Sequence, residues 1–417
     1  MRSSALLLIG CAVFLGSWSL LHHGFLVRSQ LTDIPTYQRY AVAVRHDKVP
    51  YRDFRVEYPP GVLPIVLIPS LRMQSDRDAF GLAHWFDREM AIAGCLTLLG
   101  TLLCLRALGA SPRRTVAAIA VVALSPLLLG SVVLTRFDFW PTALASLALA
   151  ALLWRRFELS AILLAVGVGT KLWPVVLAPP AFVWIMRTYD RRTALRWAGI
   201  GLAILAAIFV PFTILSPGGM ERSFRMQLSR PLQVESLGSS ILVAAHHLFG
   251  TTAHAVEGPV SQNLTGPGTD AAALASTIAG ALALLAVWFA FARGPATADR
   301  LVRYCTASVA LFIGFGKVFS PQFMVWLIPF AVLVAGRRGL AAGSLLVAGL
   351  LLTQSWFPRH YWPLARHLAE PQSIELVARN LVVLALATVL LWPRRPTSDS
   401  LLDDPRDRRA LVVREAA

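Results

Sequence analysis

Residues 197–215 read WAGIGLAILAAIFVPFTIL, a run without a single charged side chain. A run of about 20 apolar residues is long enough to cross the hydrocarbon core of a bilayer as a helix. Comparable runs recur along the whole chain, which has 417 residues, 56% of them hydrophobic and 15% charged. We therefore predict an all-α polytopic membrane protein.

The apolar runs predict about twelve transmembrane or re-entrant helices. The runs lie at roughly residues 5–26, 80–105, 115–134, 139–154, 159–170, 172–186, 197–215, 271–292, 302–316, 321–336, 339–356 and 376–393. The first resembles a signal peptide but lacks a small-residue cleavage site, so we expect an uncleaved span. No span carries a charge near its middle, and Arg379 comes nearest to one; its side chain either snorkels or faces the helix bundle.

One membrane domain is expected over residues 1–393, with two long loops at 27–79 and 216–270. Loops of that length in a compact protein are more often functional than simple connections. Residues 394–417 have mixed charge and are expected to form a disordered tail.

Basic residues set the predicted orientation, in a chain with a net charge of +16. Arginines accumulate in the short loops 106–114, 155–158, 187–196, 293–303 and 337–338. Because such residues are retained on the cytoplasmic side, we predict cytoplasmic N- and C-termini in a cell-membrane protein. The arginines form no patch interleaved with aromatic residues, so no nucleic-acid partner is expected.

This orientation places the main polar segments on the outer face. The first contains Asp33, which could cap a helix, since Thr32-Asp33 precede Ile34-Pro35, or could act as a general base. Further along the same loop, Glu57-Tyr58-Pro59-Pro60-Gly61 is expected to turn the chain back towards the membrane.

Lysine use adds a second signal, because only Lys48, Lys171 and Lys317 are lysines among 39 basic residues. Lys171 and Lys317 each stand alone between apolar segments. A compact ammonium group suits a phosphate oxygen. The alternative is a lysine that snorkels to the membrane interface beside Trp173 or Trp326.

Other polar residues on this face also have two interpretations each. Arg136 and Asp138 could contact substrate or could pair with each other at the start of a span. Arg230 and Glu235 could bind substrate or could simply be solvated. The segment Arg359-His360-Tyr361-Trp362 is equally compatible with an interfacial aromatic belt.

Sequence signals for metals and cofactors are lacking. The four cysteines, Cys11, Cys95, Cys104 and Cys305, fall inside apolar runs without ligand-like spacing. No Gly-rich nucleotide loop and no His-Glu-x-x-His motif occurs. We expect metal-independent chemistry without a cofactor.

Together these motifs resemble the GT-C class of integral-membrane glycosyltransferases, and within it the actinobacterial polyprenol-phosphate-mannose-dependent α-1,2-mannosyltransferase family. The similarity covers most of residues 1–393. Besides Asp33 and the loop that follows it, it rests on three segments: Arg136-Phe137-Asp138-Phe139-Trp140-Pro141, Thr170-Lys171-Leu172-Trp173-Pro174, and Ser320-Pro321-Gln322 ahead of Trp326 and Pro329. Some members carry a His pair where this chain has Gln322-Phe323.

The resemblance implies that Asp33 is the catalytic base of an inverting transfer of a sugar, here mannose, from a polyprenyl-phosphate donor to a lipid or glycan acceptor on the outer face. Lys171, Arg230 and Lys317 would stabilise the leaving phosphate. The full set of donor-phosphate and substrate-binding candidates is Lys171, Arg230, Lys317, Gln322, Arg136, Glu57, Tyr58, Asp138, Glu235 and His360.

Two other functions stay open at this point: a polytopic transporter or lipid flippase of cell-envelope precursors, and a noncatalytic scaffold. Transporters bind substrate near the bilayer midplane, with broken helices or intramembrane polar groups. Such groups are nearly absent from this sequence, which favours the enzyme.

Overall fold

The structure is a computed structural model that describes residues 3–23, 31–258 and 260–392. The chain is mostly helical, as predicted, with 17 helices in the described part. They are α1 Ser3–Leu20, α2 Ile34–Arg45, α3 Leu63–Ser70, α4 Ala79–Ala107, α5 Pro112–Leu129, α6 Phe139–Leu153, α7 Phe157–Thr170, α8 Ala178–Thr188, α9 Arg191–Leu215, α10 Pro217–Leu228, α11 Leu237–Phe249, α12 Thr269–Arg293, α13 Ala298–Gly314, α14 Ile328–Ala331, α15 Gly336–Trp356, α16 Tyr361–His367 and α17 Glu370–Leu391. The predicted tail 394–417 lies outside the described residues.

Six of the described helices are long and apolar enough to cross a membrane: α4, α5, α9, α12, α15 and α17. Several of the other predicted runs form shorter helices, so the count of about twelve spans is not confirmed. Proline accounts for part of the difference between the predicted spans and the shorter observed helices, because it lacks a backbone N–H and favours the first turn of a helix. The run 321–336 consists of a 3-10 segment, Pro321–Leu327, followed by the four-residue α14.

The expectation about charges inside spans needs one correction. Helix α4 carries Asp87, Arg88 and Glu89 within its length, and the Asp87 carboxylate accepts a hydrogen bond from Trp18 Nε1 at 2.9 Å. All three charges lie inside the predicted run 80–105. The side chain of Arg379 in α17 is fully buried, so it faces the bundle and does not snorkel.

The core forms where α4 packs on α6, α6 on α7, and α13 and α15 on α17. Close approach of α4 and α6 depends on Gly100, because a Cβ there would lie 2.4 Å from Ser146 Oγ. Small residues let helices in a membrane pack with their backbones close together. Helix α9 differs, because no residue in its most apolar part is fully buried, although one side of the helix packs on α7. The rest of its surface is available to lipid.

Arginines at the predicted cytoplasmic loops also close helix ends. Arg300 Nη1 donates to the carbonyl of Phe291 at 2.7 Å, and Arg187 Nη1 donates to that of Ala292 at 2.8 Å. Both carbonyls belong to the last turn of α12, where unsatisfied oxygens and the helix dipole favour positive charge. These two arginines thus stabilise helix structure in addition to any role in orientation.

Both long loops are largely structured. The first contains α2 and α3, with the 3-10 segment Pro60–Val62 directly before α3. The second contains α10, α11 and a hairpin of β1 His254–Glu257 with β2 Gln262–Thr265. The strands pair antiparallel, with His254 opposite Thr265 and Glu257 opposite Gln262. The all-α prediction therefore missed one small sheet. The backbone of residues 232–234 adjoins β2, because Val234 N donates to Gln262 O at 3.0 Å.

Candidate active site

Asp33 lies at the start of α2, in the N-cap position. Its carboxylate pairs with Arg136 Nη1, and the Tyr37 hydroxyl lies 3.5 Å from Asp33 Oδ2. Asp33 makes no side-chain capping bond, and Thr32 Oγ1 accepts the hydrogen bond of Ile34 N instead. The capping interpretation of the Asp33 side chain is therefore wrong. The side chain remains 28% exposed, so a substrate can reach it.

Asp138 forms a second, deeper ion pair. Lys171 Nζ donates to Asp138 Oδ1 at 2.7 Å, and Trp326 Nε1 donates to the same oxygen at 2.6 Å. The Asp138 side chain is 2% exposed and that of Lys171 is 15% exposed. Burial lowers the pKa of Lys171, and the attraction of Asp138 opposes this shift.

This arrangement overturns two alternatives. Arg136 and Asp138 do not pair with each other, because each pairs with a residue from another part of the chain. Lys171 does not snorkel to water, since its ammonium also lies over the rings of Phe137 and Trp326, at 4.8 and 5.2 Å from their centroids. Ammonium groups are attracted to the faces of aromatic rings.

Arg136 connects the two ion pairs. Burial lowers its pKa to about 10, against the opposing attraction of Asp138, Tyr361 and Glu235. The guanidinium therefore interacts with the carboxylate of Asp138 as well as with that of Asp33. Its buried Nε has no hydrogen-bond partner among the described residues.

Glu57, Tyr58 and Arg230 form a neighbouring part of the cluster. Burial raises the pKa of Glu57, and Arg39 and Arg230 oppose the rise. Arg230 also interacts electrostatically with Tyr58 and Glu235, while burial lowers its pKa. The backbone carbonyls of Glu57 and Tyr58 accept hydrogen bonds from Gln227 Nε2 at 2.8 Å and from the Tyr51 hydroxyl at 2.6 Å. These two bonds hold the end of the first loop in place.

Glu235 is 2% exposed, so the interpretation of a solvated charge is wrong. Burial raises the pKa of its carboxyl group to about 7, and attraction to Arg379 and contact with the Tyr361 hydroxyl oppose the rise. Its Oε2 atom is buried and has no hydrogen-bond partner among the described residues. The cluster thus contains a buried carboxyl oxygen, Glu235 Oε2, that accepts no hydrogen bond from the described residues.

The family model of glycosyltransferase family 87 matches residues 57–321, more than half of the chain. The chain belongs to glycosyltransferase family 87. No curated protein matches it. The match confirms a membrane glycosyltransferase and favours it over the transporter alternative, whereas the mannose-transferring subtype stays a prediction.

Most of the charged residues in the candidate site of this family 87 glycosyltransferase fall inside the matched range. Arg136, Asp138, Lys171, Arg230 and Glu235 lie within residues 57–321, and Asp33 precedes them. The ion pair with Arg136 is the contact that joins Asp33 to the matched part of the chain.

Three predicted residues lie at or beyond the margin of the cluster. Lys317 Nζ donates to the carbonyl of Leu228 at 2.6 Å, which ties α10 to the segment before Ser320. His360 is exposed, and its Nδ1 lies 3.2 Å from the carbonyl of Ser355. Gln322 is half-buried and precedes Phe323, whose ring centroid lies 5.2 Å from Lys171 Nζ.

Sequence reasoning missed three contributors to the site of this glycosyltransferase: Trp326, Tyr361 and Arg379. The sequence motif that contains Trp326 did not predict a role for its side chain in the site. Tyr361 directly follows His360, which was the residue predicted to bind substrate. Arg379 had a usable signal, because a charged residue inside a predicted span is a functional-site hypothesis by default. Arg379 Nη2 donates to the carbonyl of Glu235 at 2.9 Å.

Proposed function

We propose that this family 87 glycosyltransferase transfers mannose from a polyprenyl-phosphate donor to a hydroxyl group of a lipid or glycan acceptor, at the outer face of the membrane. One observation carries the proposal. The carboxylate of Asp33 is partly exposed and pairs with Arg136. Arg136 in turn interacts electrostatically with Lys171, which also interacts with Arg230, so Asp33 lies at the edge of a buried group of cations.

The chemistry assigned to this arrangement is a single inverting displacement. Asp33 takes the proton of the acceptor hydroxyl, and the acceptor oxygen forms a bond to C1 of the sugar. The bond between C1 and the phosphate oxygen breaks, and polyprenyl phosphate leaves with the electron pair. The proton ends on the Asp33 carboxylate, so no metal or cofactor is required.

The leaving phosphate gains negative charge, which fixed cations stabilise in a water-poor site. Lys171 is already neutralised by Asp138, so its net contribution is reduced. Arg230 has no acidic group within ion-pairing distance in the described part of the chain, and its buried Nε is without a partner. We therefore assign the main phosphate contact to Arg230, with Lys171 nearby and Lys317 further out.

The outward orientation supports a lipid-linked donor. Short loops rich in arginine are retained in the cytoplasm, which leaves Asp33 and Lys171 on the other face. Nucleotide sugars are cytoplasmic, so a site on the outer face needs a sugar donor anchored in the membrane.

Replacement of Asp33 tests the assignment of the base. Asp33→Asn keeps the shape of the side chain but cannot take the proton, so we expect transfer to fall by about 10²- to 10⁴-fold. Membranes that contain the variant would be supplied with radiolabelled polyprenyl-phosphate mannose, and the labelled lipid and glycan products would be measured.

Asp53→Asn is the matched control. Asp53 lies in the same loop, but it pairs with its neighbour Arg52 at 3.0 Å and is outside the cluster. We expect transfer close to wild type for this variant. Full transfer by Asp33→Asn, at equal protein level, would show that Asp33 is not the base.

A further inference from the structure

We propose that Glu235 and Tyr361 form a subsite that binds hydroxyl groups of the sugar being transferred. This inference rests on the function proposed above and assigns a part of the cluster that neither the base nor the phosphate contacts occupy.

Glu235 is held rigidly by its backbone. Its carbonyl accepts hydrogen bonds from Arg379 Nη2 at 2.9 Å and from Asn380 Nδ2 at 3.3 Å. The next residue, Ser236, caps α11 by accepting a hydrogen bond from Ser239 N at 3.2 Å. A side chain positioned in this way can select a ligand, because little movement is open to it.

The carboxyl group of Glu235 is incompletely bonded. Tyr361 interacts electrostatically with it, but Oε2 is buried without a partner among the described residues. A buried acceptor without a hydrogen bond destabilises the protein, because it has lost its bonds to water. This cost would disappear when a ligand donates a hydrogen bond to Oε2.

The surroundings favour a neutral donor as this ligand. Arg136, Arg230 and Arg379 all interact electrostatically with Glu235, yet within the described ranges no basic nitrogen lies within 4.0 Å of its carboxylate. A second phosphate would be repelled by the ionised carboxylate. A sugar hydroxyl can donate to the ionised form and can also accept from the protonated form.

The position also fits the sugar ring. C1 lies between the attacking acceptor oxygen and the leaving phosphate, so the ring must lie between Asp33 and the phosphate-binding cations. Glu235 is an electrostatic neighbour both of Arg136, which pairs with Asp33, and of Arg230, to which we assign the phosphate. Tyr361 is fixed beside it by ring contacts with Trp356 and Phe357, at centroid distances of 6.3 and 5.4 Å.

The test compares donors that differ by one hydroxyl group. Wild type, Glu235→Gln and Tyr361→Phe would be assayed with polyprenyl-phosphate mannose and with its 2-, 3-, 4- and 6-deoxy analogues. We expect kcat/KM of wild type to fall about 10- to 100-fold for at least one deoxy donor, which is the range for a lost hydrogen bond to a charged group. With Glu235→Gln the difference between that donor and the native one should shrink to a few-fold or less.

Glu158→Gln is the matched control, since the Glu158 side chain is 50% exposed at the start of α7 and its Oε1 lies 3.4 Å from Arg196 Nη2, away from the cluster. It should keep the donor preference of wild type. Binding of polyprenyl phosphate without sugar should be unchanged in Glu235→Gln, which also shows that the variant is folded.

Each remaining outcome has a definite meaning. If wild type uses the native donor but discriminates against no deoxy analogue, or if Glu235→Gln keeps the full discrimination, the sugar subsite lies elsewhere and the proposed reaction stands. If wild type transfers sugar from none of these donors, the proposed donor class is wrong and the subsite proposal falls with it.

Discussion

At the scale of single residues, the site is organised by two ion pairs that cross between chain segments. Arg136 and Asp138 are two residues apart, but the first pairs with Asp33 and the second with Lys171. Both residues lie in the non-helical turn that precedes α6, where side chains two positions apart can find partners on different sides. The two ion pairs thus bring Asp33 of the first loop and Lys171, which directly follows α7, to the same part of the site.

Among these residue contacts, loss of the Asp138–Lys171 ion pair should reduce the free energy of unfolding most. Removal of one partner of a buried ion pair typically costs 3–5 kcal/mol, because the other charge remains buried without compensation. We therefore expect Lys171→Met and Asp138→Asn each to reduce the free energy of unfolding by about that amount. The double variant should lose clearly less than the sum of the two single losses.

Thermal unfolding in detergent of wild type, both single variants and the double variant would measure this coupling. Arg52→Met with Asp53→Asn is a matched exposed pair, for which little or no coupling is expected because solvent screens the two charges. Strict additivity at Asp138 and Lys171 would argue against a direct buried pair.

At the scale of elements, the return of the first loop to the membrane positions Lys171. The 3-10 segment Pro60–Val62 packs against α7, and Gly61 lies against the last turn of that helix. A Cβ on Gly61 would lie 2.5 Å from the carbonyl oxygen of Gly169 and 3.0 Å from Thr170 N. These are backbone atoms, which cannot move aside as the end of a flexible side chain could.

Gly61→Ala should therefore separate the loop from α7. We expect a loss of about 1–3 kcal/mol in the free energy of unfolding, typical of overpacking, and reduced transfer because Lys171 follows directly after Thr170. Unfolding in detergent and transfer of labelled sugar would both be measured.

Gly343→Ala provides the comparison, because Gly343 lies in α15 and a Cβ there meets no atom within 4 Å. Alanine favours a helix over glycine by about 1 kcal/mol, so this variant should be as stable as wild type or more stable. Equal stability of Gly61→Ala and wild type would contradict the close packing of the loop on α7.

At the scale of the whole molecule, the long apolar helices differ in how much of their surface the protein covers. Most of the apolar part of helix α4 is buried in the bundle, whereas no residue in the most apolar part of α9 is fully buried. Most of the charged cluster lies among short helices and 3-10 segments, whereas one contributor, Arg379, lies in the middle of the long helix α17. A site of this kind can meet both a lipid headgroup and a water-soluble acceptor.

The predicted orientation is open to a direct test. Arg55 is an exposed residue of the first loop, and we predict that Arg55→Cys in intact cells reacts with a membrane-impermeant thiol reagent. The unmodified chain, with Cys104 and Cys305 buried, serves as the background control. Labelling only after lysis would place the loop and the site in the cytoplasm.

The sequence by itself determined the membrane class, most of the helices and the residue types of the site. It did so because apolar runs and isolated charges are local properties of the chain. It also pointed to Asp33, Asp138, Lys171, Arg230 and Glu235, since charges are costly beside apolar segments and are rarely placed there without a partner or a function.

Only the tertiary structure decided which of these charges meet. The pairing of Asp33 with Arg136, and of Asp138 with Lys171 and Trp326, joins residues up to 188 positions apart. No local pattern encodes such contacts, because they depend on how α4, α6 and α7 pack. The same holds for Lys317, whose ammonium binds a backbone carbonyl, and for Glu235, whose burial and open bonding capacity became visible only in the folded chain.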